Sequence, residues 1–258
     1  MNSRILYSMF YDMLEQEHEA FKSDDGLAVL CPKSPLWIWL AQDRNEADAR
    51  LFFNSFLQKN ASRFASEPLI GLVAEENIAL ACASEYARQT GLYYSFNELI
   101  AYYLPHDRAL AELNKPVAGE LRIAGPAELP LVQEWISAFY TETLNAPPPQ
   151  MEEQSDNPPP LIEVKPRLFI WWDSQPVAMG MLTGISGKTC RLNLIYTPPK
   201  LRGKKYGRAL VIALVNLIRE NNQVPILYTA GDNIASNNLY QSIGFQEAGK
   251  LTEVRFFE

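Results

Sequence analysis

A short glycine-containing loop between a strand pattern and a helix pattern constrains this chain most. The loop Arg202–Gly207 follows the strand-like segment Leu192–Thr197 and precedes Ala209–Ile218, an almost continuously apolar helix pattern. A loop that opens a helix places free backbone N–H groups beside the positive end of the helix dipole, which suits a phosphate or pyrophosphate group. For the hexapeptide alone, an ordinary polar loop with a basic surface is the alternative.

Composition narrows the class of protein. The chain has 258 residues, of which 47% are hydrophobic and 21% charged, and this predicts a globular protein of one large or two modest domains. The net charge of -7 argues against nucleic acid as a partner, because phosphate backbones require clustered Lys and Arg. The three cysteines are far apart without metal-ligand spacing, so we expect no metal and a reducing compartment.

The start of the chain shows no leader-peptide pattern, and no segment approaches the roughly 20 apolar residues of a membrane span. We therefore expect a cytoplasmic protein without a membrane partner.

Hydrophobic patterns predict two α/β domains, 1–118 and 119–258. In the first domain, apolar runs predict strands and helical spacing predicts helices. The predicted elements are strands Leu27–Cys31, Leu36–Leu40 and Leu69–Val73 and helices Arg44–Lys59 and Glu75–Gln89. We interpret the aromatic stretch Leu92–Leu104 as core or interdomain packing.

In the second domain, antiparallel strand patterns give way to strand–helix–strand units. The fold class predicted is α/β (α+β), with a mixed, mostly antiparallel central sheet flanked by helices. Two triple-proline runs, at 147–149 and 158–160, bracket a polar stretch that we expect to be an exposed loop or cover. The predicted elements are strands Leu121–Ile123, Leu168–Trp172, Val177–Thr183, Cys190–Thr197, Ile226–Thr229 and Val254–Phe257 and helices Glu128–Leu144, Ala209–Ile218 and Ile234–Ile243.

Two segments of this second domain follow recognisable motifs. In the loop, Arg202, Lys205 and Gly207 occupy the three defined positions of the pattern [QR]-x-x-G-x-[GA], so that a lysine replaces the central glycine. The segment Asn233–Tyr240, with Gly244-Phe245 after it, follows the pattern N-x-x-S-x-x-L-Y…G-F. Both motifs resemble those of the GNAT acyltransferase superfamily, which uses acyl-coenzyme A. The resemblance covers roughly 120–257 and implies a GNAT-like fold there, and the first half is faintly similar to a degenerate copy of it.

The resemblance implies a site for acetyl-CoA, bound as a cosubstrate without a metal. Backbone N–H groups of the loop would hold the pyrophosphate, with added charge from Arg202 and Arg208. The backbone of the preceding strand would meet the pantetheine amides, and one N–H would stabilise an oxyanion. Asn233 would contact the cofactor, cap a helix, or do both. The implied cofactor-binding residues are Ile195, Tyr196, Thr197, Arg202, Gly203, Lys204, Lys205, Tyr206, Gly207, Arg208 and Asn233.

Tyr240 is the implied catalytic residue, a general acid for the leaving thiolate, and a packed helix tyrosine is the alternative. The general base stays open. Both histidines lie in the first half, and Tyr228 occupies the position where some family members carry a glutamate. Glu142 and Glu163 are candidates for the base, and a solvated surface charge is the alternative for each. A water relay or an already neutral amine would make a protein base unnecessary.

The resemblance implies an N-acetyltransferase that transfers an acetyl group to a primary amine by direct attack through a tetrahedral intermediate. Its partner would be a small-molecule or peptide amine acceptor, which the sequence does not identify, and a homodimer stays open. Lys205 and the missing base prompt one alternative, a non-catalytic acyl-CoA-binding regulatory module. An aminoacyl-tRNA-dependent transferase of the same fold is the other, and the acidic net charge counts against it.

Overall fold

The structure, a computed structural model, describes residues 6, 7, 13, 18–32, 34–41, 43–110, 116–144, 167–183 and 188–258. It shows the predicted mixed α/β fold, with a mostly antiparallel sheet flanked by helices. Both triple-proline runs lie outside the described residues. In the part of the chain that the structure describes, no helix is long and apolar enough to cross a membrane.

The chain divides into two compact units. The first comprises Met1–Ala101, Thr229–Asp232 and Ala248–Glu258, and the second comprises Tyr102–Tyr228 and Asn233–Glu247. Two late segments of the chain belong to the first unit, so the two units are not separated by one cut after residue 118. The domains 1–118 and 119–258 stay a prediction.

The first unit holds four whole strands and most of two more, in the order β1-β2-β3-β4-β11-β5, together with the short segment Thr229–Asp232. The pairs β1–β2, β2–β3 and β4–β11 are antiparallel, and β3–β4 is parallel. The strands are β1 (Glu19–Lys22), β2 (Gly26–Leu30), β3 (Leu36–Leu40), β4 (Gly71–Ala74), β5 (Tyr93–Tyr103) and β11 (Gln246–Phe257), and the helices are α1 (Glu46–Lys59), α2 (Ala61–Phe64) and α3 (Glu76–Thr90).

Local signals set the ends of the helices in this unit. The Asn45 side chain accepts the N–H groups of Ala47 and Asp48, and Asp48 accepts the N–H of Asn45, which forms a capping box at the start of α1. Helix α3 ends at Gly91, whose φ of 78° is left-handed. Both helices bury an apolar face in the core, which is rich in phenylalanine in α1 and consists mostly of small and aliphatic residues in α3.

The second unit holds the strand order β10-β9-β8-β7-β6. Only the β9–β10 pair in this order is parallel. The strands are β6 (Glu120–Ile123), β7 (Arg167–Trp172), β8 (Pro176–Thr183), β9 (Thr189–Tyr196) and β10 (Val224–Ala230), and the helices are α4 (Leu129–Leu144), α5 (Tyr206–Glu220) and α6 (Ile234–Ile243). Trp135 and Ile136 of α4 pack with Met179 and Tyr196 in one hydrophobic core.

The strands differ from prediction at three places. The stretch Leu92–Leu104 was interpreted only as packing, but it forms β5. Its first half is largely exposed and aromatic on both faces, so period-two alternation is weak there. Strand β1 was not predicted, and it is short, polar and mostly exposed. Strand β11 begins at Gln246, well before the predicted Val254, because its first residues are polar and contain Gly249.

Candidate functional site

The loop between β9 and α5 leaves the start of the helix open to an anion. A 3₁₀ turn, Pro199–Leu201, leads into Gly203 and Lys205, which both have left-handed backbones with φ of 80° and 67°. The N-cap residue Lys205 forms no side-chain cap to α5, and the first turn of the helix carries no acidic residue. Because the first N–H groups of a helix have no partner inside the helix, this loop offers donors and a positive dipole together.

Backbone geometry explains two positions of the loop motif. A Cβ added at Gly207 would lie 3.2 Å from Thr197 Oγ1, a tight contact that would require a shift of a few tenths of an ångström. Lys205 holds the left-handed conformation that glycine adopts without strain, and a side chain raises its free energy by about 1–2 kcal/mol. A glycine at position 205, as in the family pattern, would avoid this conformational strain.

The last part of β9 separates from β10 and contains an extra residue. The parallel pairs run from Thr189–Val224 to Arg191–Ile226, and the strand continues to Tyr196. On the other side, Met179 pairs with Tyr196 but Met181 pairs with Asn193, so three steps on β9 face two on β8. This β-bulge includes Leu194, with φ of 48°. Backbone groups near Ile195 and Thr197 thus lie beyond the parallel ladder, and their contact with pantetheine stays a prediction.

A three-residue cluster lies at the end of β9. The Tyr196 hydroxyl donates to Glu142 Oε1 at 2.7 Å, and Arg202 Nη2 donates to Oε2 of the same carboxylate at 2.5 Å. Arg202 Nε also donates to the Thr197 carbonyl at 2.9 Å. The hydrogen bond from Arg202, followed by that from Tyr196, lowers the pKa of Glu142. Burial, and then the bond to Glu142, raises the pKa of Tyr196 to about 12.

Two consequences concern the predicted roles. Glu142 is a poor general base in this arrangement, because both carboxylate oxygens accept strong hydrogen bonds and its pKa is low. Arg202 is paired with that carboxylate, so it offers less net charge to a phosphate than the sequence suggests. The other candidate base, Glu163, lies outside the described residues.

Two more side chains of the predicted site are held by protein groups. The Tyr206 hydroxyl donates to Asp173 Oδ2 at 2.6 Å, and this bond raises the pKa of Tyr206. Arg208 donates to the Ser242 hydroxyl at 2.6 Å and to its carbonyl at 3.3 Å, which links α5 to α6. Lys204 and Lys205 are exposed and form no ion pair with an acidic group among the described residues. They are the cations most available to an incoming anion.

Asn233 is the N-cap of α6, and its side chain accepts the Ser236 N–H at 3.1 Å. Capping uses the side-chain oxygen, so the amide nitrogen stays available to a ligand. The cofactor contact of Asn233 therefore stays a prediction beside the observed cap.

Tyr240 lies on α6 in an aromatic cluster. It is 6% exposed, and its ring centroid is 5.8 Å from that of Phe245 and 6.4 Å from that of Tyr102. Burial raises the pKa of its hydroxyl, so the group stays protonated, as a general acid must. Among the described residues the Tyr240 hydroxyl has no hydrogen-bond partner, and its catalytic role stays a prediction.

The partners that orient these side chains, namely Asp173, Ser242 and Tyr102, were not predicted from the sequence. Each is 33 or more residues from the side chain it contacts, so no local motif signals it. Within the described residues, no group of three or more His, Cys, Asp or Glu side chains could hold a metal ion.

Residues 129–245 match the family model described as the acetyltransferase (GNAT) family. The matched segment begins with α4 and ends just after α6. It therefore contains the β9–α5 loop, Asn233 and Tyr240. The comparison with curated proteins gives no match.

Solved structures resemble the whole chain in fold. A GCN5-related N-acetyltransferase from Kribbella flavida is 14% identical with a TM-score of 0.66, covering 99% of this chain and 95% of that one. An acetyltransferase from the GNAT family from Colwellia psychrerythraea is 15% identical with a TM-score of 0.55, covering 99% and 96%. A functionally unknown conserved protein from Staphylococcus epidermidis is 10% identical with a TM-score of 0.61, covering 98% of each.

At these identities the structures establish the fold alone, and the family rests on the matched segment and its two motifs. The likeness to the acetyltransferase (GNAT) family is shown for residues 129–245, the segment that the family model matches.

Proposed function

We propose that this protein is an N-acetyltransferase that transfers the acetyl group of acetyl-CoA to a primary amine. The observation that carries the proposal is the bulged end of β9, free of β10, that leads into an uncapped helix N-terminus. An extended strand edge suits a pantetheine chain, and an uncapped N-terminus suits a pyrophosphate.

The residues present fit this cosubstrate. N–H groups from Gly203 to Arg208 would hold the pyrophosphate, and Lys204 and Lys205 would supply charge that no described acid neutralises. Gly207 lets the start of α5 approach the end of β9 closely, so phosphate and pantetheine sites are continuous. Backbone groups of residues 195–197 would then receive the pantetheine amides.

The proposed reaction is direct attack of the amine on the thioester. The amine nitrogen bonds to the carbonyl carbon, the carbon–sulfur bond breaks, and the leaving thiolate takes a proton from Tyr240. A backbone N–H at the β9 bulge would stabilise the developing oxyanion. Because Glu142 is held by Arg202 and Tyr196, we propose that the amine attacks in its neutral form. The proton it then loses passes through solvent back to Tyr240.

The test is release of free coenzyme A from acetyl-CoA in the presence of single amines. A suitable panel is spermidine, glucosamine, a peptide with a free amino terminus and an amino-terminally blocked lysine peptide. We expect saturable release with one class, and the class identifies the acceptor as a small molecule or a peptide. Release that is independent of every amine would contradict N-acetyl transfer.

A non-catalytic acyl-CoA-binding module is the second candidate. The observation that favours it is the occupied carboxylate of Glu142, which leaves no described base beside β9. Calorimetric binding of acetyl-CoA without turnover of any amine would support it over the enzyme. Binding of a tRNA without binding of acetyl-CoA would instead favour the aminoacyl-tRNA-dependent alternative.

We also propose a cytoplasmic location. Cys31, Cys82 and Cys190 are buried free thiols, which is typical of a reducing compartment. Burial raises the pKa of Cys31 and Cys82, so these thiols stay protonated and unreactive.

A further inference from the structure

A buried chain of polar groups joins strand β5 to helix α6 within the second unit. Gln241 Nε2 donates to the Tyr102 hydroxyl at 3.0 Å, and that hydroxyl donates to Asn237 Oδ1 at 3.1 Å. Asn237 Nδ2 in turn donates to the Asn233 carbonyl at 2.9 Å. The bonds therefore run in one direction from the last turn of α6 back to its N-cap residue.

Of the four residues that these hydrogen bonds join, Tyr102 alone lies outside α6 and its N-cap. It is 1% exposed, and its hydroxyl both donates and accepts a bond. The strand end that carries it is tied to β10 by the Leu104 N–H, which donates to the Pro225 carbonyl at 2.9 Å. Tyr102 thus connects α6 to the sheet.

The two hydrogen bonds of Tyr102 go to α6 residues on either side of Tyr240, the proposed acid, in the sequence. Asn237 and Gln241 are four residues apart, and Tyr240 lies three residues after Asn237, so all three share one face of the helix. The Tyr102 and Tyr240 ring centroids are 6.4 Å apart with planes tilted by 46°. Two hydrogen bonds on successive turns fix how α6 is rotated, and the ring contact limits where the Tyr240 side chain can lie.

We propose that Tyr102 is a positioning residue for Tyr240, and this inference rests on the proposed function. Its hydroxyl holds α6 in the rotation that directs the Tyr240 hydroxyl at the leaving thiolate. The same series of hydrogen bonds ends at the Asn233 backbone carbonyl and does not contact the Asn233 side chain, so Tyr102 acts on the acid and not on the proposed cofactor contact. Proton transfer requires hydrogen-bond distance, and a displacement of about 1 Å in a catalytic group lowers turnover up to about a hundredfold.

The experiment is a double-mutant cycle with Tyr102→Phe and Tyr240→Phe, read as kcat with acetyl-CoA and the fastest amine of the panel above. Tyr102→Phe keeps the ring and removes only the two hydrogen bonds. We expect kcat to fall about tenfold in the wild-type background and less than about twofold in the Tyr240→Phe background, because residues that act together are not additive. The Kd of coenzyme A should change less than about twofold, since the chain meets Asn233 only at its backbone carbonyl.

Tyr103→Phe is the matched control. Tyr103 follows Tyr102 on β5 and donates one hydrogen bond, at 3.1 Å, to Gln246 Oε1. This variant loses a similar bond without touching α6, so its kcat should stay within about twofold of wild type in both backgrounds. Gln241→Leu removes one bond of the chain from an exposed residue, and it should give a smaller decrease in kcat if Tyr102→Phe fails to fold.

The outcomes separate the two proposals. If the wild type transfers acetyl groups and Tyr102→Phe has the same kcat, only the positioning role is overturned. An equal loss in both Tyr240 backgrounds also overturns it, because it shows a general structural effect. If the wild type transfers no acetyl group to any amine, the proposed function is overturned and the inference is lost with it.

Discussion

At the two junctions β4–α3 and β9–α5, a strand leads into the N-terminus of a helix. The two junctions differ in charge and in the number of connecting residues. Strand β4 ends at Ala74, and α3 starts after the single residue Glu75. Strand β9 ends at Tyr196, and α5 starts only at Tyr206. Neither helix donates a backbone N–H to the side chain at its N-cap position, so both leave backbone N–H groups unsatisfied by a cap.

The charges decide what each junction can bind. Glu75 and Glu76 place carboxylates at the start of α3, where they complement the helix dipole and would repel a phosphate. The start of α5 has no acid in its first turn and carries exposed Lys204 and Lys205. An uncapped helix start is therefore not enough for a phosphate site, and the second junction meets two further requirements, positive charge and a left-handed loop that gives room.

The largest difference should appear between two buried tyrosines, one on a helix of each unit. Tyr240→Phe should lower kcat about a hundredfold, because general acid catalysis contributes about 10²–10⁴. Tyr86 lies on α3, is 2% exposed and accepts the Leu69 N–H at 2.9 Å. Tyr86→Phe should lower the free energy of unfolding by about 1–3 kcal/mol and leave kcat unchanged. Steady-state kinetics and chemical denaturation measure both effects, and an unchanged kcat in Tyr240→Phe contradicts the acid role.

The next largest effect is expected when the β9–α5 junction is given acidic residues like those of the β4–α3 junction. The double variant Lys204→Glu/Lys205→Glu should weaken coenzyme A binding at least about tenfold, since charged hydrogen bonds contribute about 1.5–3 kcal/mol each. Calorimetry at two salt concentrations checks this, and the wild type should show the steeper salt dependence. The control Glu75→Lys/Glu76→Lys should change neither quantity. Equal affinities in all three proteins would exclude this loop as the phosphate site.

A smaller and opposite effect is expected at Glu142. Glu142→Gln releases Arg202 from its carboxylate, so coenzyme A should bind about threefold more tightly, given that exposed ion pairs contribute less than about 1 kcal/mol. Because Arg202 lowers the pKa of Glu142, the carboxylate stays charged at neutral pH and loses its charge only when the pH falls through that lowered value. The affinity ratio of variant to wild type should therefore stay constant between about pH 6 and about pH 9.

Glu134→Gln is the control for that measurement. Glu134 is an exposed residue of the same helix, so the substitution makes the same charge change away from Arg202. Weaker binding in Glu142→Gln would show that Glu142 supports the site and does not compete for Arg202.

The smallest effect concerns the departure from the family pattern. Lys205→Gly should raise the free energy of unfolding by about 1 kcal/mol, because glycine adopts the left-handed conformation without strain. Lys204 does not have a positive φ, and Lys204→Gly should give no gain. Thermal denaturation measures the difference between the two variants. If Lys205→Gly lowers the free energy of unfolding, the lysine side chain stabilises the fold by more than the strained backbone at this position destabilises it.

Local signals in the sequence predict much of this fold. Helix Ile234–Ile243 and strand Leu36–Leu40 have the bounds predicted, since a cap, a glycine end and clear apolar spacing define them. Strand β5 was not predicted as a strand because its first half is exposed on both faces, and its pairing with distant strands decides its conformation.

The candidate site divides in the same way. The loop and Asn233 follow from motifs, because turns and caps are local. The pairing of Arg202 with Glu142, 60 residues earlier, and of Tyr102 with Asn237, 135 residues later, depends on tertiary packing. No spacing rule connects such residues, so the sequence could not show that Arg202 is partly neutralised or that Tyr102 supports α6.

A crystal structure of the protein with coenzyme A tests the proposed phosphate site most directly. We predict that the pyrophosphate oxygens lie within about 3 Å of backbone nitrogens between Gly203 and Arg208, with the pantetheine chain along residues 195–197 of β9. Coenzyme A bound at the β4–α3 junction, or bound elsewhere with the β9–α5 loop untouched, would contradict it.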